Sequence, residues 1–256
     1  KWYDEVYRTA QSQNHNVTLS GGTAKTTYYL SGGLSDQDGF LKNNTFKRYS
    51  ARLNATHKAT DWLSLSMNVN YNNSINRAPN SGSAPGAAFN SSGLGRIAIA
   101  IAPNVPVYNA AGGYNISANN VGNAANLITS TWAHPTVLVD KDVNSSENNR
   151  FLTNLGADFK ILEGLNFRSN FSWERANTEN IQFWNPLQGD GYSYNGYAYN
   201  NTARRNNWNW INTLQYVKTF DGVHNLNLTI GNDVQNTRTV NWGAIRQGLG
   251  DPVLSG

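Results

Sequence analysis

Through most of this chain apolar and polar side chains alternate at every second position. That period belongs to the β-strand, whose successive side chains point to opposite faces. In residues 63–72, Leu63, Leu65, Met67, Val69 and Tyr71 alternate with Ser64, Ser66, Asn68, Asn70 and Asn72. In 21–39, Tyr28, Leu30 and Leu34 oppose Thr27, Tyr29, Ser31 and Ser35. The pattern recurs in 15–21, 47–58, 151–160, 165–174, 208–218 and 225–234, which predicts eight strands. The polar row is unusual. Ser, Thr, Asn and Gly neither pack a dry core nor carry the charges of an ordinary soluble surface.

The connectors sharpen the reading. Short ones at 22–24, 60–62, 162–164 and 220–222 alternate with long ones at 36–46, 74–149 and 177–206. Four hairpins therefore stand side by side, tight turns at one end and large loops at the other. Charged residues are 14% of the chain, against roughly 25% in soluble domains, and mean hydropathy is −0.56. No apolar run approaches the about 18 residues of a spanning helix. A transmembrane barrel strand meets all these conditions: about 9–11 tilted residues, one row toward lipid and one toward a wet lumen. The fold class expected is all-β, an antiparallel up-and-down transmembrane β-barrel. Tyr49, Trp62, Trp173 and Trp208, near strand ends, suit interfacial girdles. The alternative is a soluble or surface β-sheet domain, a glycan binder or adhesin, in which the apolar row faces a core.

The net charge of +4 is mild and scattered; its densest pairs, Lys47-Arg48 and Arg204-Arg205, make no basic patch of the kind nucleic acid requires. With no cysteine there is no disulfide framework and no thiolate metal site. No signal peptide opens the chain and neither end reads as a natural terminus, which predicts a piece of something longer. The insert at about 74–149 is too long for a plain loop in a compact domain. It opens on a Pro/Gly/Ser-rich stretch (77–88), then offers a short helix over 93–102, ended by Pro103, and a turn at 107–113.

For catalysis the sequence is nearly silent, and no enzyme, cofactor or metal is expected. His15, His57, His134 and His224 have no ligand spacing; there is no G-x-S-x-G elbow. Asp36-Gln37-Asp38-Gly39 hints at a calcium loop but lacks the following Glu, so a polar hairpin tip is expected. The more informative segment is 183–205. There Trp184, Tyr192, Tyr194, Tyr197 and Tyr199 sit among Asn and Gly, a composition that can stack on sugar rings or peptide side chains and hydrogen-bond them; a self-packing loop is the other reading. The alternation places Arg52, Arg168 and Glu174 on the lumen row, where charges pair with whatever fills a barrel.

Four stretches carry a family resemblance: "DEVYRTAQSQNHNVTLSGGTAKTTYYLSGGLSDQDGFLKNNTFKRYSARLN" (4–54), "APNVPVYNAAGGY" (102–114), "NNRFLTNLGADFKILEGLNFRSNFSWE" (148–174) and "NWINTLQYVKTFDGVHNLNLTIGNDVQ" (209–235). In that order they resemble the SusC/RagA family, TonB-dependent outer-membrane transporters of Bacteroidetes. The resemblance implies a 22-stranded plugged barrel in the outer membrane. Residues 1–13 would be the end of the plug and its junction, and 14–256 a partial barrel. It further implies import of a large nutrient, oligosaccharide or peptide. A SusD-like lipoprotein would serve as lid, TonB would act through a plug region not present here, and the lipid bilayer would surround the wall.

Overall fold

The computed structural model describes residues 1–79, 93–129 and 132–250. Most of the Pro/Gly/Ser-rich stretch, from residue 80 on, lies outside them.

All eight expected strands form, in one antiparallel sheet. They are β1 (Ser12–Gly22), β2 (Thr26–Asp38), β3 (Thr45–Lys58) and β4 (Leu63–Ala78), then β7 (Val143–Leu162), β8 (Leu165–Trp184), β9 (Tyr197–Phe220) and β10 (His224–Gln247). Their order in space is their order in sequence, β1-β2-β3-β4-β7-β8-β9-β10. The two minor strands, β5 (Ile116–Ser117) and β6 (Asn120–Val121), pair with each other inside the insert. The meander is open: β1 and β10 each have one neighbour.

Several strands outrun the sequence pattern, chiefly toward the long connectors. β7 begins at Val143 rather than near Phe151, β8 continues to Trp184, and β9 starts at Tyr197, so the loop expected over 177–206 contracts to 185–196. The reason is compositional. Beyond the apolar rows both faces turn polar, as with Glu147 and Asn149 on one face of β7 and Asn148 and Arg150 on the other. Alternation carries no signal where both faces are wet, yet backbone pairing continues.

Register decides which rows share a face. Leu65, Ala157, Ser169 and Asn212 form one cross-strand row, and Ser66, Gly156, Asn170 and Ile211 the next, opposite one. One feature of β7 keeps this parity. The turn Glu163-Gly164 pairs Leu162 with Leu165, but a bulge at Ile161 shifts register so that Lys160 faces Asn166. Were Ile161 paired in the ladder instead of bulged, Phe159 would oppose Arg168 and every side chain of the hairpin would meet the wrong face. With it, Phe159 faces Phe167, their rings 5.8 Å apart.

The buried core is not in the sheet. Val17, Leu30, Leu65, Leu155, Trp210, Leu228 and Ile230, all on the apolar face, are 41–74% exposed. The buried apolar residues lie instead at the long-connector end. There the short N-terminal helix α1 (Trp2–Val6) meets two helices of the insert, α2 (Leu94–Ala100) and α3 (Pro135–Lys141). The expected helix at 93–102 is α2; its buried stripe Leu94, Ile97, Ala98 and Ile101 has helical spacing, and Gly93 precedes it at φ +82°. Trp2, Ile97, Ile101, Val105 and Val121 form one cluster, and Val6, Leu94, Ala98, Ala133, Leu138 and Val139 another. Residues 1–13 thus approach the sheet from its loop end, seated on the insert.

Two substitutions test this account. Trp2→Ala removes a side chain 3% exposed whose Nε1 donates to the Val105 carbonyl at 3.0 Å. The expected loss, about 3–5 kcal/mol, is confined to the insert and shows as faster proteolysis there with the sheet intact. Gly164 sits at φ +79°, where an added Cβ would lie 2.2 Å from the Val217 carbonyl oxygen. Gly164→Ala is therefore expected to slow assembly of the β7–β9 segment, measured as refolding yield, while Gly222→Ala, also at positive φ but with open space around it, costs less.

Candidate functional site

Two regions gather the residues the sequence singles out: the 185–196 loop at the long-connector end, and the polar face of the sheet.

At the loop, Trp184 closes β8 and Tyr197 opens β9; they pair directly, rings 5.3 Å apart and edge to face. Tyr194 packs on Tyr197 at 5.4 Å, and Tyr199 joins the cluster. Trp184 and Tyr197 are only 3% and 2% exposed. Burial of aromatic rings, not display, is what these side chains supply, and edge-to-face pairs of this kind add about 0.5–1.5 kcal/mol beyond area. Tyr192, on the short helix α4 (Asp190–Ser193), remains 42% exposed. The structure thus brings four of the five aromatics into one packed group and leaves Tyr192 on the surface.

The loop is also clasped to the insert by a buried polar network that the sequence reading did not anticipate. Asp142, just past α3, accepts from the Asn185 backbone N at 2.9 Å and from Asn185 Nδ2 at 2.5 Å. Asn185 Oδ1 in turn accepts from the backbone N of Leu187 and Gln188. Gln188 Nε2 donates to the Ala118 carbonyl at 2.6 Å, and Gln188 Oε1 accepts from the His134 backbone N at 3.1 Å. Nothing local in the sequence marks the partners Asp142, His134 and Ala118, which lie 43 to 70 residues from Asn185 and Gln188.

His134 caps α3. Its Nδ1 accepts from the Val137 backbone N at 3.3 Å while its Nε2 donates to the Val107 carbonyl at 2.9 Å. Those roles require the neutral ring protonated on Nε2, and burial pulls its pKa below the usual value. Beside it, burial and then a hydrogen bond to Asp140 push the Tyr114 hydroxyl up to about 12. Burial raises the Asp142 carboxyl to about 7, with neighbouring Asp190 adding to the rise and the Asn185 bonds opposing it.

On the polar face the register gives each charged residue a definite neighbour. Arg168 lies opposite Asp158 and its Nε is hydrogen-bonded to that carboxylate. Glu174 Oε1 accepts from Arg150 Nε at 2.6 Å. Arg52 Nε donates to Asn70 Oδ1, directly opposite, at 2.8 Å. Arg52, Glu174 and Arg168 share one face with Asn70, Leu152 and Asn207. The partners Asp158 and Arg150 escape sequence analysis because the bulge at Ile161 sets the pairing. Elsewhere, Asp36 and Asp38 do not form the expected hairpin tip. Both lie in β2 because it runs on past its apolar row, and they pair with Lys47 at 3.1 Å and Arg8 at 2.8 Å.

No protein-family model matches the chain. Among curated proteins it is 25% identical over 250 residues to TonB-dependent receptor SusC of Bacteroides thetaiotaomicron, covering 92% of this chain and 24% of that protein. It is 28% identical over 243 residues to TonB-dependent receptor P3 of Formosa agariphila, covering 93% of this chain and 23% of the relative. TonB-dependent receptor P26 of the same organism is 27% identical over 243 residues, with 93% and 22% covered. The chain thus spans about a quarter of the length of the curated relatives it matches. In fold it superposes on a chain of the RagAB peptide transporter with a TM-score of 0.73 at 22% identity, over 99% of this chain and 27% of that one. The RagAB importer in its closed-closed and open-open states gives the same score. These relatives are named as receptors and transporters, none as an enzyme.

The Asp142 shift has a testable sign. A carboxyl whose folded pKa exceeds its unfolded value stabilises the fold fully below about pH 4, and that contribution is lost as pH rises toward about 7. Docking of the 185–196 loop on the insert is therefore expected to loosen across that window, read as faster amide exchange at Asn185 and Gln188. Asp142→Asn, which keeps the acceptor and removes the titration, is expected to flatten the pH dependence. Strand pairing and the comparisons converge: over nearly all its length the chain is similar to SusC and other TonB-dependent receptors, of which it spans about a quarter, and it shares the fold of part of a RagAB transporter chain.

Proposed function

We propose that this segment forms part of the wall of an outer-membrane barrel that imports a large nutrient, an oligosaccharide or a peptide. Residues 14–256 supply wall, lumen lining and external loops, and residues 1–13 lead into them. TonB drives the cycle through a plug, and a SusD-like surface lipoprotein covers the loop end.

One observation supports this reading most strongly. A largely apolar face crosses all eight strands and stays exposed, while the buried core sits elsewhere. Exposed apolar patches far smaller than this mark interaction surfaces. In β4 the apolar row Leu63–Tyr71 spans nine residues, about 27 Å along a strand, close to a tilted bilayer crossing. Aromatic residues flank the band. Tyr71 faces Phe151 and Trp173 faces Trp208 at its upper edge, and Trp62 stacks near Phe159 at 6.2 Å at its lower edge. Asn212 and Asn232 interrupt the band opposite each other, and Asn212 Nδ2 donates to Asn232 Oδ1 at 3.2 Å. A soluble glycan-binding sheet would cover its apolar row; among the described residues nothing covers this one. The mention of peptide import in the names of the structural neighbours favours a peptide over an oligosaccharide only by analogy of fold.

Neighbouring positions separate the faces. In the full-length protein, Met67→Arg places a charge on the apolar face and Asn68→Arg on the polar one. The first is expected to cost about 2–4 kcal/mol in lipid and to lower the amount of folded barrel in outer-membrane fractions; the second is not. Equal tolerance at both sites would remove the membrane reading. For the loop, Tyr192→Ala is expected to weaken substrate capture with barrel yield unchanged. Trp184→Ala, by contrast, is expected to disorder the loop and so reduce both loop protection and capture.

A further inference from the structure

The polar face is unevenly charged. On β1–β4 its rows hold Arg48, Arg52 and Lys58, and no Asp or Glu. Lys58 is paired with Asp61 in the adjoining turn at 2.9 Å. Arg48 and Arg52 have no carboxylate partner among the described residues, and both are exposed. Two strands across from Arg52, Arg150 joins the same face, its Nε taken by Glu174. Between them lies a cleft of about 550 Å³, within the size range of small-ligand pockets. Asn16, Ser31, Ser50, Asn70, Asn72 and Tyr29 line it together with Arg52 and Arg150.

From this arrangement we infer a subsite for a carboxylate carried by the transported molecule, centred on Arg52 with Arg150 beside it, and with Arg48 further along β3 on the same face. The inference rests on the reading of this face as lumen. The Asn70 bond fixes the Arg52 guanidinium through Nε and leaves both terminal nitrogens as a planar fork suited to a carboxylate. The amides and hydroxyls around it match the hydroxyl groups of a sugar or the amides of a peptide backbone. Uncompensated like charges on a concave wall concentrate the field and raise the local concentration of anions.

The test uses the full-length transporter, wild type and Arg48→Gln/Arg52→Gln, with two matched probe pairs: a hexauronate and its methyl ester, and a hexapeptide free acid and its C-terminal amide. Wild type is expected to bind at least one carboxylate probe more tightly than its neutral partner, with an advantage that shrinks at high salt. The double variant is expected to lose tenfold or more of that affinity, the loss of charge-assisted bonds, with binding of the neutral partner unchanged. Which pair responds distinguishes sugar from peptide. Wild type with no preference for either carboxylate overturns the inference. So does a double variant that keeps the preference, or one whose plug becomes protease-sensitive while affinity is unchanged, which would assign the arginines to plug contact. A wild type absent from outer-membrane fractions would instead sink the membrane reading itself.

Discussion

Backbone pairing across eight long antiparallel strands is the interaction on which everything else here depends. It satisfies the peptide groups of the interior strands without a covering layer, which is what an apolar solvent demands of any structure that crosses it. It also transmits side-chain parity from strand to strand, so that one apolar and one polar face extend from β1 to β10. Parity is fragile, because a single-residue slip exchanges the faces. The bulge at Ile161 is where the chain corrects it, between a two-residue turn and two strands of fixed pattern.

The loop end follows different physics. There the chain has a dry core of its own, built from α1, α2 and α3, and the long connectors are tied to it rather than left free. Asn185 and Gln188 bind the β8–β9 loop to the insert through hydrogen bonds to Asp142, Ala118 and His134. The end of β10 joins the same assembly: Gly248 and Leu249 donate backbone bonds to the Tyr194 and Asn195 carbonyls, at 2.9 Å and 3.0 Å. A loop end built this way holds its aromatic cluster in place and leaves Tyr192 facing outward.

How much was legible in the sequence differs between these two parts. The sheet rows are readable because successive residues of a strand face opposite sides of the sheet and here differ in polarity, as Met67 and Asn68 show. The strand extensions beyond the rows are not, since Asn148 and Asn149 carry the same polarity on both faces. Aromatic composition singled out 183–205, but could not say whether Trp184 and Tyr197 point out or in. That depends on their pairing across the strand ends, which buries both rings against each other.

The sequence by itself therefore determined the eight strands of the large sheet, the meander, the alternation of short and long connectors, and the polarity of each row. All of these follow from local periodicity and turn chemistry. Only the tertiary structure decided register and partnership. Arg168 meets Asp158 because of one bulged residue, Arg150 rather than Arg52 takes Glu174, and Asp142 reaches Asn185 across 43 residues. Such contacts depend on which rows come level and which distant segments share a buried space, and no local pattern encodes either.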